Sequence, residues 1–283
     1  MATLLLLAPL APAGEFSGAQ ALEYTRALVA LGPRPAGTPA LKKAQDYIVQ
    51  QLKASGWEVQ EDAFTAKTPV GMLAMKNIIA RKSGLSGKAV AITGHYDTKR
   101  FPFRFVGAND GGASAGLLLE LARALKDRPL RNDVYLVFFD GEEAVKEWTA
   151  TDSLYGSRHL AERWQKDGTN GRLLGLINVD MIGDRDLHIV KELYSSESLR
   201  RLVWQVAAQT GQARKFDGVE LAVEDDHAPF LRLGVRALDL IDFDYGPSHA
   251  WWHTGQDTMD KLSADSLQSV GRVLVETLKR LEP

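Results

Sequence analysis

The sequence contains no cysteine, which excludes disulfide bonds, thiolate zinc sites and cysteine nucleophiles together. A metal site must therefore be built from histidine, aspartate and glutamate, and only 6 histidines are present. A basic surplus is also missing, because 34 lysines and arginines stand against 36 aspartates and glutamates. We expect no nucleic-acid partner, since no excess of cationic side chains is available to hold a phosphate backbone.

Long apolar runs are missing as well. The leucine-rich residues 3–10 are too few to span a bilayer, so no membrane span is expected. The small residues 11–13 before Gly14 resemble the end of a secretory signal, although the positively charged first region is absent. Two interpretations of residues 1–15 stay open: a signal of a periplasmic or secreted protein, or a tail that packs on the domain.

The composition is that of an ordinary globular protein. Of the 283 residues, 45% are hydrophobic and 25% are charged, which excludes a disordered chain or a coiled coil. The length allows one or two domains. We predict a single catalytic domain over residues 16–283, because the candidate polar residues are spread from 95 to 253 and a division would split the site.

Hydrophobic spacing predicts alternating helices and strands. Helices are expected over residues 16–31, 39–55, 113–125, 157–164, 199–210 and 263–281, and strands over residues 57–64, 75–81, 88–93, 134–139, 173–179 and 235–241. Several strands are apolar on both faces, as in a sheet that helices cover on each side. The expected fold is an α/β, three-layer α/β/α sandwich with a central mixed, mostly parallel sheet, in which the first two strands form an antiparallel edge.

Acidic residues and histidines stand near the ends of the predicted strands, most of them after a strand and Asp225 with Asp226 in the loop ahead of the strand 235–241. They are His95 and Asp97, Asp110, the pair Glu142 and Glu143, Asp180, Asp225 with Asp226, and His253. A lone aspartate at a strand end usually forms a turn or caps a helix. Here that explanation would have to hold at five strand ends at once, and it becomes weaker with each one. Sites of open α/β sheets lie at the carboxyl ends of strands, and imidazole and carboxylate groups are zinc ligands. Of two adjacent glutamates, one can bind a metal while its neighbour moves protons. By contrast, His159, His188 and His249 are expected to be ordinary surface or hydrogen-bonded residues.

This order of residues resembles the zinc aminopeptidases of the M28 type. The segments GHYDTKRF, FVGANDGGAS, VFFDGEEAVKEW, TDSLYGSRHL, EDDHAPFLRLGV and WWHT are similar to one branch of that group, the glutaminyl-peptide cyclotransferases, or glutaminyl cyclases. The resemblance extends from about residue 16 to the C-terminus. Its most specific parts are DSLYGSRHL and DDHAPFLR, and it implies a zinc aminopeptidase-like fold.

The resemblance also implies roles for individual residues. Asp110, Glu143 and His253 would bind one zinc ion per chain, and Glu142 would be the general base and acid. Asp180 and Asp225 would form a carboxylate network beside it, and Trp148, Trp252 and Glu224 would contact the substrate. His95 matches a ligand of the second metal in the peptidases. The segment 242–250 is longer than the matching loop of the animal enzymes, which leaves loop shape and substrate preference open.

The implied reaction converts the N-terminal glutamine of peptides or proteins to pyroglutamate with release of ammonia. The protein is expected to be a monomer. Two alternatives stay open. A di-zinc aminopeptidase could draw its ligands from His95, Asp110, Glu143, Asp180 and His253, and the sequence does not count the ions. A binding module that has lost its metal would show broken ligands, and none is broken.

Overall fold

The computed structural model describes residues 14–281, so the predicted signal or tail over residues 1–15 lies outside them except for Gly14 and Glu15. Within this part of the chain, no helix has both the length and the apolar composition needed to cross a membrane.

Helices and strands alternate much as the hydrophobic spacing predicts. In chain order they are α1 (Gly18–Val29), α2 (Pro39–Ala54), β1 (Glu58–Thr68), β2 (Gly71–Lys82), β3 (Ala89–His95), α3 (Ser114–Ala124), β4 (Asp133–Phe139), α4 (Tyr155–Lys166), β5 (Leu173–Asp180), β6 (Lys191–Glu192), α5 (Glu197–Gln209), β7 (Glu220–Leu221), α6 (Ala228–Arg232), β8 (Ala237–Ile241) and α7 (Ala264–Arg280). Local signals set several boundaries. The Thr38 side chain accepts the N–H of Leu41 at the start of α2, and Gly56, at φ 74°, follows its end.

Six strands form one mixed sheet in the order β1-β2-β4-β3-β5-β8. The pairings β1 with β2 and β2 with β4 are antiparallel, whereas β4 with β3, β3 with β5 and β5 with β8 are parallel. The expected mixed, mostly parallel sheet with an antiparallel edge is therefore confirmed.

Helices cover both faces of this sheet, which confirms the three-layer architecture. Successive side chains of a strand point to opposite faces, so Ile78 and Ile92 join one core, with α1, α2, α3, α5 and α7, whereas Ile79 and Ala91 join another, with α4 and α6. Every residue of β3, β4 and β8 is buried, in agreement with their apolar sequences. The parallel strands bring His95, the last residue of β3, and Asp180, the last residue of β5, to the same edge.

Three short elements were not predicted. The two-residue strands β6 and β7 pair in parallel outside the main sheet, and the five-residue helix α6 begins just after His227. Elements of this length show no periodicity, so a pattern of apolar residues does not reveal them.

Close packing of α1 on α3 depends on Gly116. A β-carbon at this position would collide with the Thr25 hydroxyl oxygen and lie 2.7 Å from the carbonyl oxygen of Ala21. We expect Gly116→Ala to lower the free energy of unfolding by roughly 1–3 kcal/mol, a cost typical of overpacking. Chemical denaturation measures the change. The control is Gly171→Ala, where a β-carbon meets nothing within 4 Å. Equal stability of both variants and wild type would show that the two helices separate freely.

Candidate active site

The three residues predicted to bind a metal converge at the carboxyl edge of the sheet. Asp110 lies in the turn before α3, Glu143 follows β4, and His253 lies in the loop after β8. The Nε2 atom of His253 is 3.2 Å from Asp110 Oδ2 and 3.3 Å from Glu143 Oε1. One ligand atom from each residue lies within 4.8 Å of the other two. Residues separated by up to 143 positions in the chain therefore form one compact donor set.

The donor set fits a divalent cation. Glu143 Oε2 is buried and accepts no hydrogen bond within residues 14–281, with Lys99 Nζ 3.6 Å away. Burial and the Asp110 carboxylate raise the pKa of Glu143, whereas His253 and His95 outweigh burial and hold the pKa of Asp110 well below its usual range. Burial lowers the pKa of His253, but the two carboxylates outweigh it and raise that pKa to about 9. Two carboxylates and one imidazole are ligands that zinc accepts.

The turn that carries Asp110 is held from behind by Asp257. This buried carboxylate accepts the backbone N–H of Asn109 at 2.8 Å and of Asp110 at 3.2 Å, and it accepts the Tyr245 hydroxyl at 2.8 Å. Gly111 adopts φ 80°, a conformation that other residues rarely reach, so the chain turns sharply just after the ligand.

Arg34 fixes the segment that leads into the same turn. Its fully buried guanidinium donates to the carbonyl oxygens of Gly32 at 3.1 Å, Tyr96 at 3.2 Å, Val106 at 2.9 Å and Gly107 at 3.1 Å. It thereby ties the loop before Asp110 to the residue that follows β3. Sequence reasoning missed this arginine because it stands between two prolines in a segment that looks like a surface loop.

Glu142 lies beside the three candidate ligands and is not part of their donor set. Its side chain is buried, and Oε2 is 3.9 Å from His95 Nδ1. Its backbone N–H donates to Asp97 Oδ1 at 3.2 Å. Burial raises its pKa well above the usual range, and the carboxylates of Glu143, Asp225 and Asp226 raise it further against the lowering effect of His95. A carboxyl group with a raised pKa is suited to hold and release a proton near neutral pH.

Asp225 and Asp180 are also buried in the same pocket. Asn178 donates its side-chain amide to Asp225 Oδ2 at 2.9 Å and to Asp239 Oδ1 at 3.1 Å. Burial and the neighbouring Asp180 raise the pKa of Asp225 to about 6. The carboxylates predicted from separate strand ends thus share one electrostatic environment.

His95 links these carboxylates to the ligand set. Its Nε2 atom is 3.2 Å from both Asp110 Oδ1 and Asp180 Oδ1, and its Nδ1 atom is 3.4 Å from Asp97 Oδ1. Although burial lowers its pKa, the three carboxylates raise it well above the usual value. His95, Asp110 and Asp180 form a second group whose donor atoms lie within 4.8 Å, so this region could hold a second cation.

A cavity of about 570 Å³ opens beside Glu142. The predicted contact residues Trp148, Trp252 and Glu224 all line it, and Trp148 remains 41% exposed. The Glu224 carboxylate turns outwards and accepts from Arg232 at 3.0 Å. Trp252 stacks on the His253 ring with centroids 4.0 Å apart, which orients that ligand.

The 242–250 segment supplies a wall that the sequence did not assign. Phe243 lines the cavity and packs on Trp252 with centroids 5.2 Å apart. His249 packs against the same two rings at 4.8 and 4.9 Å, and neither of its ring nitrogens has a hydrogen-bond partner within residues 14–281. His249 is thus a partly exposed loop residue whose ring is held by aromatic packing, and the alternative of a hydrogen-bonded ring is not met.

The other two histidines behave as expected. His159 Nε2 is 3.3 Å from Asp62 Oδ1, and His188 Nδ1 is 2.7 Å from Asp217 Oδ1. Both rings therefore make ordinary hydrogen bonds to carboxylates.

Known proteins resemble this chain over nearly all of its length. Peptidase family M28 matches residues 77–278. The glutaminyl-peptide cyclotransferase of Drosophila melanogaster is 33% identical over 271 residues, which cover 85% of this chain and 76% of the relative. The chain belongs to the M28 family, in its glutaminyl-peptide cyclotransferase branch. The zinc aminopeptidase-like fold is likewise confirmed by the solved structures below.

Two solved structures show how far the similarity extends. An Acidobacteriales bacterium glutaminyl cyclase superposes with a TM-score of 0.91 and 41% identity, covering 97% of this chain and 99% of that one. A Zn-dependent exopeptidase from Parabacteroides distasonis superposes with a TM-score of 0.83 and 26% identity, covering 93% and 98%. Membership of the M28 family and this exopeptidase both point to zinc as the ion for the donor set.

We expect His253→Ala to lose the bound metal, because two like-charged carboxylates without the imidazole form an incomplete donor set. Metal analysis of the dialysed protein should show less than about a tenth of the wild-type zinc, given the 10–100-fold losses that even outer-shell changes cause. His188→Ala is the control, because His188 is partly exposed and pairs with Asp217. Zinc retained at the wild-type level in His253→Ala would contradict the assignment.

Proposed function

We propose that the protein is a zinc-dependent glutaminyl-peptide cyclotransferase that converts N-terminal glutamine of peptides or proteins to pyroglutamate and releases ammonia. The observation that carries this proposal is a complete donor set, Asp110, Glu143 and His253, with the buried carboxyl group of Glu142 next to it. The 41% identity to a glutaminyl cyclase over almost the whole chain supports it.

Asp110, Glu143 and His253 would hold a single zinc ion, which when bound supplies a Lewis acid that polarises a carbonyl oxygen. The rest of the chemistry belongs to the side chains and to the substrate. The substrate's α-amine attacks its own side-chain amide carbon, a C–N bond closes the five-membered ring, and the bond to the amide nitrogen breaks. Because the reaction is intramolecular, a pocket that folds the side chain back removes much of the entropic barrier.

Glu142 would move the proton. It accepts a proton from the attacking amine and delivers it to the departing nitrogen, so that ammonia leaves as a neutral molecule. Its raised pKa favours this exchange near neutral pH. Asp180 and Asp225, whose pKa values are also raised by burial, would keep protons shared within the pocket.

Trp148, Trp252 and Phe243 would form the apolar wall around the folded glutamine side chain. Exclusion of water matters because attack of water on the same carbon gives glutamate instead of the ring. The cavity of about 570 Å³ has ample room for a single side chain and leaves an open side for the rest of a peptide.

A di-zinc aminopeptidase is the second candidate. The group formed by His95, Asp110 and Asp180 favours it, as does the 26% identity to a Zn-dependent exopeptidase. The cyclotransferase remains the better proposal because the cyclase similarity is higher in both sequence and structure. We also propose that the protein is a monomer. A periplasmic or secreted location is proposed from the leucine-rich residues 3–10 and the small residues 11–13 that follow them.

One experiment decides between the two activities. We expect the protein to remove one ammonia from a glutamine-initiated peptide, read by mass spectrometry, and to stop doing so when a chelator has stripped the metal. The same peptide with alanine in first position should stay intact. Release of the first residue from either peptide would favour the aminopeptidase, and an unchanged glutamine peptide would refute the proposal.

We expect Glu142→Gln to keep its zinc and to lose turnover by about 10²–10⁴-fold, the usual contribution of general acid–base catalysis. Metal analysis and initial rates on the same peptide measure the two quantities. Glu162→Gln, an exposed change on α4, is the matched control. Normal turnover in Glu142→Gln would assign proton transfer to another group.

A further inference from the structure

The segment 221–227 forms one side of the pocket, yet it lies outside the main sheet. It begins at the end of β7 and ends at the start of α6, and it carries the pocket-lining Leu221, Val223 and Asp225. One side-chain hydrogen bond joins it to the main sheet: Asp225 accepts the side-chain amide of Asn178, in β5, at 2.9 Å. A segment of this kind needs a further anchor if it is to keep its side chains in place.

Glu192 provides that anchor. Its carboxylate is fully buried, and Oε1 accepts the backbone N–H of Val223 at 3.1 Å and of Tyr194 at 2.9 Å. Oε2 accepts the N–H and the hydroxyl of Ser195 at 2.6 and 2.7 Å and lies 3.2 Å from His227 Nε2. One carboxylate therefore contacts five donors from two loops.

The positions of these donors show which part of the pocket wall Glu192 holds. Val223 and His227 stand two residues before and two residues after Asp225, so Glu192 holds the segment on both sides of that acid. A second chain of hydrogen bonds also connects Glu192 to Asp225. The Ser195 hydroxyl, which donates to Glu192, accepts the backbone N–H of Asp239 at 3.0 Å, and the side-chain amide of Asn178 donates to both Asp239 and Asp225.

Glu192 stays ionised while it does this. Burial opposes ionisation, but the bonds from His227, from the backbone N–H groups and from Ser195 prevail and lower the pKa of Glu192 to about 2. An ionised carboxylate accepts from all its neighbours at once, which a neutral amide does not. Glu192 itself does not line the pocket.

We propose that Glu192 is a positioning residue for substrate capture, because its carboxylate fixes the segment 221–227 and thereby holds Val223 and Asp225 in the pocket wall. The effect on substrate binding rests on the proposed function, whereas the anchoring of residues 221–227 is a property of the free protein. It assigns to a residue outside the pocket an effect on substrate binding.

The first test is Glu192→Gln, which preserves shape but replaces one acceptor oxygen by an amide that donates. We expect kcat/KM for the glutamine-initiated peptide to fall about 10- to 100-fold, mostly through a higher KM, because small displacements of positioning groups have effects of that size. Zinc content should equal that of wild type. Hydrogen–deuterium exchange should rise in residues 221–227 of the free protein.

Glu220→Gln is the matched control, because Glu220 is an exposed residue of β7 in the same two-stranded sheet. It should leave KM, kcat and exchange unchanged. If Glu192→Gln folds with wild-type exchange, or with kinetic parameters within twofold of wild type, the inference is overturned.

A second pair of variants covers the case in which Glu192→Gln does not fold. His227→Ala removes one donor, whereas the side-chain amide of His227→Gln can still donate to Glu192. We expect KM to rise in the alanine variant and to return towards wild type in the glutamine variant. Equal defects in both would mean that packing of the ring, not the bond to Glu192, matters. A wild-type protein that leaves the peptide intact fails the proposed function, whereas the exchange measurements still test the anchor alone.

Discussion

The burial of many carboxyl groups at one edge of the sheet is the constraint on which the site depends. Asp97, Asp110, Glu142, Glu143, Asp180, Asp225 and Asp226 are each less than a tenth exposed. So many ionised acids in a poorly solvated space would repel one another strongly. The structure answers in three ways: a donor set fit for a cation at Asp110 and Glu143, the imidazole of His95 between two acids, and raised pKa values that favour protonation of Glu142 and Asp226. In the proposed mechanism this division separates metal binding from proton transfer.

The loops that carry these acids are held largely by buried side chains that are not themselves proposed to bind the metal or to move a proton. Arg34 binds four backbone carbonyl groups near Asp110, and Asp257 binds two backbone N–H groups of the same turn. Glu192 does the same for the segment around Asp225. Each acts mainly through the backbone, so the site residues keep their side chains free for a cation, a proton or a substrate. A rigid frame of this kind is what a reaction governed by positioning requires.

The sequence was informative wherever local pattern decides the structure. Apolar runs located β3, β4 and β5 to within about two residues, and the acids that follow them did meet at one edge. Family resemblance, and not spacing, supplied the division of roles between Glu142 and Glu143. Arg34 and Glu192 were missed because important partners are remote in the chain: Arg34 contacts Val106 across 72 positions, and Glu192 contacts Val223 across 31. Phe243 was missed although its ring partners His249 and Trp252 are near in sequence, because the conformation of that loop is not readable from the sequence. A single polar or aromatic residue in a loop carries no periodic signal that reveals such a contact.

The pocket wall, more than the acids, separates the two candidate reactions. A donor set with a neighbouring base suits attack on an amide carbon either by water or by the substrate's own amine. What differs is which nucleophile reaches that carbon. Phe243, Trp252 and His249 pack ring against ring with centroids 4.8–5.2 Å apart, and Trp252 in turn covers the His253 ring. Such a wall offers an apolar surface against which the folded side chain of the proposed substrate would pack, with its own amine next to the amide carbon. The segment 242–250 thus places the rings of Phe243 and His249 beside Trp252, and Phe243 extends this aromatic surface into the pocket.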